Sequence, residues 1–281
     1  MFSIFKNSRA RSFVKRTFAT AVLAAAVSHA HAASSVLISP IDPVLEADQR
    51  ATALWLENRG AEPVRLQLRI FAWSQEGKED QYAQQQEIVG SPPMILIEPG
   101  KKQLVRVTRL VAAPDATERA YRVVIDEIPA GNDAASGAAS GASSADAPSS
   151  QPNGQSTGIK FQMRYAVPLF SYGKNLWAKE DPQKKRDPAS AGKPDLSWRQ
   201  VAEGGRQYLE IANQGPVHAR LTHVSIEQNG KQVEIAGGLF GYVLAHSTMR
   251  WPMPAQVSAA GGALSADVNG LNRQQTIPHA R

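Results

Sequence analysis

Apolar and other residues alternate at a spacing of two along most of this chain, and no other sequence feature constrains the fold as strongly. A two-residue period is typical of β-strands, whose side chains point alternately to opposite faces of a sheet. Turn-forming segments such as Pro99-Gly100 interrupt the alternation at short intervals, which favours an immunoglobulin-like sandwich. The alternation predicts strands over residues 36–45, 51–58, 64–73, 102–108 and 120–127.

A second series of alternating segments predicts a second, smaller β-sandwich. It comprises residues 196–201, 207–213, 219–226 and 263–268. Asn229-Gly230 is a two-residue hairpin signal within this series. The polar, Lys- and Pro-rich residues 179–194 lie before it, as an interdomain region or an exposed loop. We therefore expect an all-β protein of two immunoglobulin-like domains, residues 33–174 and residues 175–281.

The N-terminal 32 residues have the order of a secretory signal peptide. Five Lys and Arg residues precede the apolar segment 18–27, and Ala30-His31-Ala32 supplies the small residues of a cleavage site. The apolar segment is shorter than the roughly twenty residues that span a bilayer, so a retained anchor is the less favoured alternative. We predict cleavage after Ala32 and a soluble periplasmic product with no membrane insertion.

The charge and the cysteine content exclude several functional classes. The formal charge is +6, but removal of the signal peptide leaves 26 basic and 25 acidic residues, a net charge of +1. A nearly neutral chain without a dense Lys/Arg face lacks the electrostatic footprint of a nucleic-acid-binding protein. The chain has 0 Cys, so it can form no disulfide and carries no thiolate nucleophile or metal ligand.

Titratable side chains form no recognisable catalytic pattern. Four histidines remain after removal of the signal peptide, none of them in a triad motif: His218, His223, His246 and His279. His218 and His223 would fall on opposite faces of a regular strand, as would the adjacent carboxylates of Asp126 and Glu127. We expect no enzyme activity, no metal site and no cofactor.

The strand before the second domain is unusual because one of its faces is a row of large apolar residues. The row comprises Ile159, Phe161, Met163, Tyr165, Val167 and Leu169. It follows residues 130–158, a Ser/Gly/Ala-rich stretch that predicts a disordered loop inside the first domain rather than a linker between domains. Pro168 cannot donate a ladder hydrogen bond, which favours an edge strand.

An apolar edge strand invites aggregation unless something covers it. We expect a partner to cover Ile159, Phe161 and Met163. Val167 and Leu169 have the alternative of packing into their own core. Self-association of the free chain would be another way to protect this edge.

Five segments of the sequence resemble the periplasmic chaperones of the chaperone–usher pilus pathway, most closely its archaic branch. They are Leu54-Trp55-Leu56-Glu57-Asn58, Ser91-Pro92-Pro93, residues 97–106, residues 121–129 and residues 161–170. Their order is that of the family, and they extend from residue 54 to residue 170.

The resemblance implies a boomerang of two immunoglobulin-like domains. It also implies an ATP-independent function in pilus assembly, in which the last strand of the first domain completes a fimbrial subunit by donor-strand complementation. The donor residues would be Ile159, Phe161, Met163, Tyr165 and Val167. The implied partners are a pilin subunit and an outer-membrane usher.

In the better-known branch of this family, an Arg and a Lys hold the subunit's C-terminal carboxylate, but those positions are Asp42 and Pro168 here. Arg122 resembles the anchoring Arg of the archaic branch, and Arg106 and Arg164 are secondary candidates. A guanidinium group suits the task because it binds a carboxylate through two parallel hydrogen bonds. An ordinary surface charge or an ion pair within the domain is the alternative role for Arg122.

A second functional class remains open, namely a secreted two-sandwich module that binds carbohydrate or mediates adhesion. Such a module would use exposed aromatic residues, and Trp177, Trp198 and Trp251 would suit that role. Core packing explains the same tryptophans equally well.

Overall fold

The computed structural model describes residues 36–129, 162–254, 257, 262–271 and 273–280. The predicted signal peptide, the predicted loop 130–158, and the donor candidates Ile159 and Phe161 lie outside these ranges. The described part contains seventeen β-strands in four sheets and a single 3-10 turn, Pro188–Ser190. It contains no helix long and apolar enough to cross a membrane.

The first sandwich contains ten strands in two sheets. They are β1 (Val36–Ser39), β2 (Val44–Leu45), β3 (Ala51–Asn58), β4 (Val64–Glu76), β5 (Glu79–Ala83), β6 (Ile88–Ser91), β7 (Met94–Ile97), β8 (Lys102–Arg109), β9 (Glu118–Ile128) and β10 (Arg164–Tyr172). One sheet has the order β1-β3-β8-β6, and the other has the order β2-β10-β9-β4-β5, with β7 also paired to β4. Apolar side chains from both sheets fill the space between them.

One strand prediction in this sandwich is wrong. Residues 36–45 form two short strands in different sheets rather than one continuous strand. Pro40 and Pro43 lie between them, and neither can donate a ladder hydrogen bond, so the chain leaves one sheet and enters the other at this point.

The second sandwich contains seven strands. They are β11 (Leu196–Glu203), β12 (Arg206–Asn213), β13 (Ala219–Gln228), β14 (Lys231–Val243), β15 (Ser247–Pro252), β16 (Leu264–Val268) and β17 (Gln274–Ile277). Their orders are β11-β12-β15 and β14-β13-β16-β17. The predicted Asn229-Gly230 hairpin is confirmed, because Gln228 pairs with Lys231 and both turn residues have positive φ.

A third apolar cluster joins the two sandwiches, which lie in one compact unit. It consists of Trp73, Phe170, Tyr172, Leu176, Val217 and Leu244. Gln75 adds two polar links: its side-chain amide donates to the carbonyl of Tyr242 at 2.9 Å and accepts from the amide of Leu244 at 2.8 Å. The sandwiches therefore meet through both apolar and hydrogen-bonded contacts.

Candidate functional site

The strand β10 has a free edge along most of its length. β9 pairs with it from Arg164 to Tyr172, whereas β2 pairs with it only at Phe170 and Ser171. Within the described ranges, residues 164–169 have no strand on their other side. Unpaired main-chain groups on such an edge can accept an added strand.

The direction of the main-chain groups on β10 follows from one hydrogen bond. The amide of Phe170 donates to the carbonyl of Pro43 at 3.2 Å, away from β9. Because successive residues of a strand alternate, the amides of Ala166 and Arg164 also face the open edge. Pro168 occupies the position between them and Phe170, so its missing amide costs no hydrogen bond to β9.

The predicted apolar row divides between two environments. Val167 is 6% exposed and Leu169 is fully buried, and both belong to the sandwich's own core. Tyr165 is half-buried against that core, and Met163 is 44% exposed. Val167 therefore offers a partner very little exposed surface, and its role as a donor residue stays a prediction.

Glu127 fixes the end of the edge where the row becomes exposed. The Tyr165 hydroxyl donates to its Oε1 at 3.0 Å, and the amide of Met163 donates to its Oε2 at 3.4 Å. Burial raises the pKa of Tyr165, and the contact with Glu127 adds to that increase. The main chain is also held here, because the amide of Glu127 donates to the carbonyl of Met163 at 3.0 Å.

Arg122 lies at the junction of the two sandwiches. Its neighbours across the sheet are Pro168 on β10 and Phe71 on β4. The guanidinium carbon is 3.7 Å from the centroid of the Trp73 ring and 5.6 Å from that of Tyr242, which belongs to the second sandwich. Cation–π contacts on two sides orient the planar guanidinium group.

This guanidinium group is incompletely satisfied. Arg122 is 9% exposed, and its Nε has no hydrogen-bond partner in the described part of the chain. A buried polar group without a hydrogen-bond partner destabilises the protein. A ligand that supplies an acceptor to Nε removes this cost, which favours its binding. A carboxylate is the acceptor whose geometry best matches a guanidinium group.

Asp80 organises the aromatic wall beside Arg122 without forming an ion pair to it. It accepts hydrogen bonds from Trp73 Nε1 at 2.8 Å, Gln75 Nε2 at 3.0 Å and the Tyr82 hydroxyl at 3.2 Å. Burial raises the pKa of Tyr82, and Arg122 opposes that effect. Asp80 therefore accepts its hydrogen bonds from neutral donors, and it forms no ion pair with Arg122 within the described part of the chain.

The two secondary candidates lie elsewhere. Arg106 is exposed on β8, in the other sheet of the first sandwich. Arg164 is 68% exposed and pairs with Asp126, which also accepts from Arg69 at 2.6 Å. Burial acts to raise the pKa of Asp126, but the hydrogen bonds from the two arginines outweigh it and hold the pKa below its usual value. Of the three candidates, the structure places only Arg122 at the junction.

Asp42 and Pro168 occupy the two positions that hold the subunit's carboxylate in the better-known branch of the family. Asp42 forms an ion pair with Lys179. Pro168 is the direct cross-strand partner of Arg122.

The histidines that drew attention in the sequence have separate environments. His218 is buried, stacks on Phe170 with ring centroids 3.4 Å apart, and contacts Glu118 through Nδ1 at 2.8 Å. His223 is exposed, at an irregular point of β13 where a regular strand was expected. No group of three or more potential metal ligands occurs among the residues that the structure describes.

The tryptophans provide little support for a carbohydrate-binding surface. Trp198 is 1% exposed in the core of the second sandwich. Trp251 packs on Phe240 with ring centroids 4.6 Å apart, and the guanidinium group of Arg186 lies 5.0 Å from the Trp177 ring. All three have internal packing partners.

Two functional residues were missed in the sequence. Trp73 and Tyr242 form the walls around Arg122, but they come from different sandwiches and are far apart in the chain. No local pattern brings them to the same place; only the docking of the two sandwiches does.

Comparisons with known proteins agree with this architecture. The chain is similar to a chain of the CsuC–CsuE chaperone–tip adhesion subunit pre-assembly complex from the archaic chaperone–usher Csu pili of Acinetobacter baumannii. The identity is 29% and the TM-score 0.65, covering 88% of this chain and 100% of that one.

Two more distant matches show the fold alone. One is the CupB2 chaperone of Pseudomonas aeruginosa, with 18% identity, a TM-score of 0.50 and coverage of 87% and 100%. The other is the complex of the SafA pilin with the SafB chaperone of Salmonella enterica, with 18% identity, a TM-score of 0.52 and coverage of 87% and 96%. A search of curated proteins finds no match.

A family profile supplies the assignment. The profile described as "Pili and flagellar-assembly chaperone, PapD N-terminal domain" matches residues 35–176, half of the chain. The predicted resemblance and the predicted two-sandwich fold are thereby confirmed. The chain belongs to the family of pili and flagellar-assembly chaperones.

Proposed function

We propose that this protein is a periplasmic chaperone that binds fimbrial subunits by adding the open edge of β10 to them and then delivers them to an outer-membrane usher. The free edge of residues 164–169, which continues into the exposed side chain of Met163, carries the proposal. Periplasmic location follows from the predicted signal peptide. Strand addition makes no covalent bond and requires no catalytic group, so we propose that the protein is not an enzyme.

The mechanism uses the physics of strand pairing. Main-chain groups on the open edge bond to a subunit that lacks one of its own strands, and alternate side chains fill pockets along the subunit's groove. Burial of each large apolar side chain contributes roughly 1.5–3 kcal/mol. We assign this role to Ile159, Phe161 and Met163, with Tyr165 at the boundary. Val167 holds the strand in the chaperone's own core.

We propose that Arg122 binds the C-terminal carboxylate of the subunit. The absence of an ion-pair partner among the described residues, the unpaired Nε and the aromatic walls that orient the group support this assignment. An anchored terminus would set the register in which the subunit's last strand meets β10. Arg106 and Arg164 remain the alternatives.

The test combines capture and stability in one experiment. Replacing Met163 or Phe161 with Glu should prevent recovery of a chaperone–subunit complex from periplasm, because a charge in an apolar groove is strongly unfavourable. The melting temperature of the free M163E variant should stay within a few degrees of that of the wild type, since Met163 is already exposed. Replacing Leu239, an exposed residue of the second sandwich, with Glu serves as the matched control and should leave capture intact.

Two outcomes would contradict the proposal. A stable M163E or F161E variant that still captures the subunit fully would exclude this row as the binding surface. Loss of folding in both variants would assign these side chains to the core. Delivery is tested separately, by whether an outer-membrane usher co-purifies with the chaperone–subunit complex.

A further inference from the structure

A second arginine without an ion-pair partner among the described residues lies on the second sandwich, beside Tyr242. Arg220 of β13 is the cross-strand partner of Tyr242 on β14, so the two side chains share one face of the sheet. Its main-chain amide donates to Asn269 Oδ1 at 2.7 Å. Its guanidinium group extends over Gly270, where an added Cβ would lie 2.7 Å from Nη2. Among the described residues, no acidic side chain pairs with Arg220.

Arg122 and Arg220 approach the same tyrosine from different sandwiches. The guanidinium carbon of Arg122 is 5.6 Å from the centroid of the Tyr242 ring, and Arg220 is its neighbour across the strand pair. Burial raises the pKa of Tyr242, and the charges of Arg220 and Arg122, in that order, oppose the increase. Asp42 adds to the increase, so two cations and one weaker anion act on the Tyr242 hydroxyl.

The acidic groups near this point are engaged elsewhere. Asp42 pairs with Lys179, and Glu118 contacts both the main-chain amide and the ring of His218. Asp80 accepts its hydrogen bonds from neutral donors. Neither Arg122 nor Arg220 forms an ion pair with an acidic side chain among the described residues, so both guanidinium groups are available to a bound carboxylate.

We propose that Arg220 is a second carboxylate-binding residue, so that the terminal carboxylate of a subunit is held between Arg122 and Arg220 beside the Tyr242 hydroxyl. This rests on the proposed function, because it takes Arg122 as the first anchor. The anchor is then shared by both sandwiches, and its strength depends on how they are docked. The hydrogen bonds of Gln75 to Tyr242 and Leu244 make Gln75 a positioning residue for this site.

The experiment compares a free carboxylate with its amide. The probe is a synthetic peptide of alternating Val and Thr, about ten residues long, which is within the usual length of a strand. It is prepared with a free C-terminus and with a C-terminal amide, and its affinity for the full-length mature protein is measured by calorimetry. The wild type should bind the free acid about tenfold or more tightly than the amide.

Substitutions show which residues produce the preference for the free acid over the amide. R122Q should remove most of it, and R220Q should reduce it about fivefold or more. Arg220→Lys keeps the charge and should restore part of the loss. Arg206→Gln removes the same charge from an exposed position at the β11–β12 hairpin and should change nothing. If R220Q fails to fold, Arg220→Met keeps the apolar stem and takes its place with the same expectation.

The outcomes separate the two proposals. A full preference for the free acid in R220Q, together with its loss in R122Q, would overturn the role of Arg220 and leave Arg122 as the anchor. No preference in the wild type, or an unchanged preference in both variants, would overturn both. Equal losses in R206Q and R220Q would show an effect of net charge and would also overturn the role of Arg220.

Discussion

The two ends of β10 lie in different environments, although the sequence alternates in the same way through both. Toward Tyr172 the strand has partners on both sides, and Val167 and Leu169 fill the core of the sandwich. Toward Arg164 it has one partner, and Met163 is exposed. Alternation identifies the apolar face of a strand but does not tell whether its own domain or another molecule covers that face.

The difference corresponds to which residues of the strand belong to the core. Tyr165 is only partly buried against it, and a main-chain hydrogen bond from Val36 of β1 acts to lower its pKa. Val167 and Leu169 belong to the same buried core cluster as Leu54 of β3 and Val105 of β8. The boundary between the core and the exposed row therefore falls at Tyr165.

The largest expected contrast is in stability. Replacing Leu169 with Ala should lower the free energy of unfolding by about 2–5 kcal/mol, because a fully buried side chain leaves a cavity. Replacing Met163 with Ala should change it by less than about 0.5 kcal/mol. Urea denaturation of the free protein measures both. Equal losses of unfolding free energy in the two variants would place Met163 in the core and refute the contrast between the two ends of β10.

An intermediate effect is expected in affinity alone. R122Q should weaken capture of a co-expressed fimbrial subunit about tenfold to a hundredfold, because a charge-assisted hydrogen bond is lost. The free energy of unfolding of the free protein should change by less than about 1 kcal/mol, since the lost cation–π contacts are offset by removal of an unsatisfied Nε. The matched control is R106Q, on the other sheet. Weakened capture in R106Q with normal capture in R122Q would move the anchor to Arg106.

The smallest effect concerns the ion pairs at the exposed end of the sheet. Because Arg164 and Arg69 hold the pKa of Asp126 below its usual value, they stabilise the fold above about pH 4, and this contribution is lost as the pH falls through the lowered pKa. Both arginines are substantially exposed, so D126N should cost less than about 1 kcal/mol at pH 7. Melting curves should converge with those of the wild type as the pH falls through the lowered pKa. A constant difference at every pH would refute the electrostatic explanation.

Long alternating segments were predictable, and short polar ones were not. The prediction for residues 51–58 matches β3, but β5 was missed because all five of its residues are exposed and it has no apolar period. β7 was missed because it is only four residues long. The free edge was predictable from Pro168 and the apolar row. The aromatic walls around Arg122 were not, because Trp73 and Tyr242 meet only after the two sandwiches dock.

Amide hydrogen exchange, resolved by residue, tests most directly whether a subunit strand adds to the open edge of β10. The amides of Arg164 and Ala166 face that edge, whereas those of Tyr165 and Val167 face β9. In the free protein, Arg164 and Ala166 should exchange rapidly while Tyr165 and Val167 are protected. In the complex with a fimbrial subunit, all four should be protected. Continued rapid exchange of Arg164 and Ala166 in the complex would contradict strand addition at this edge.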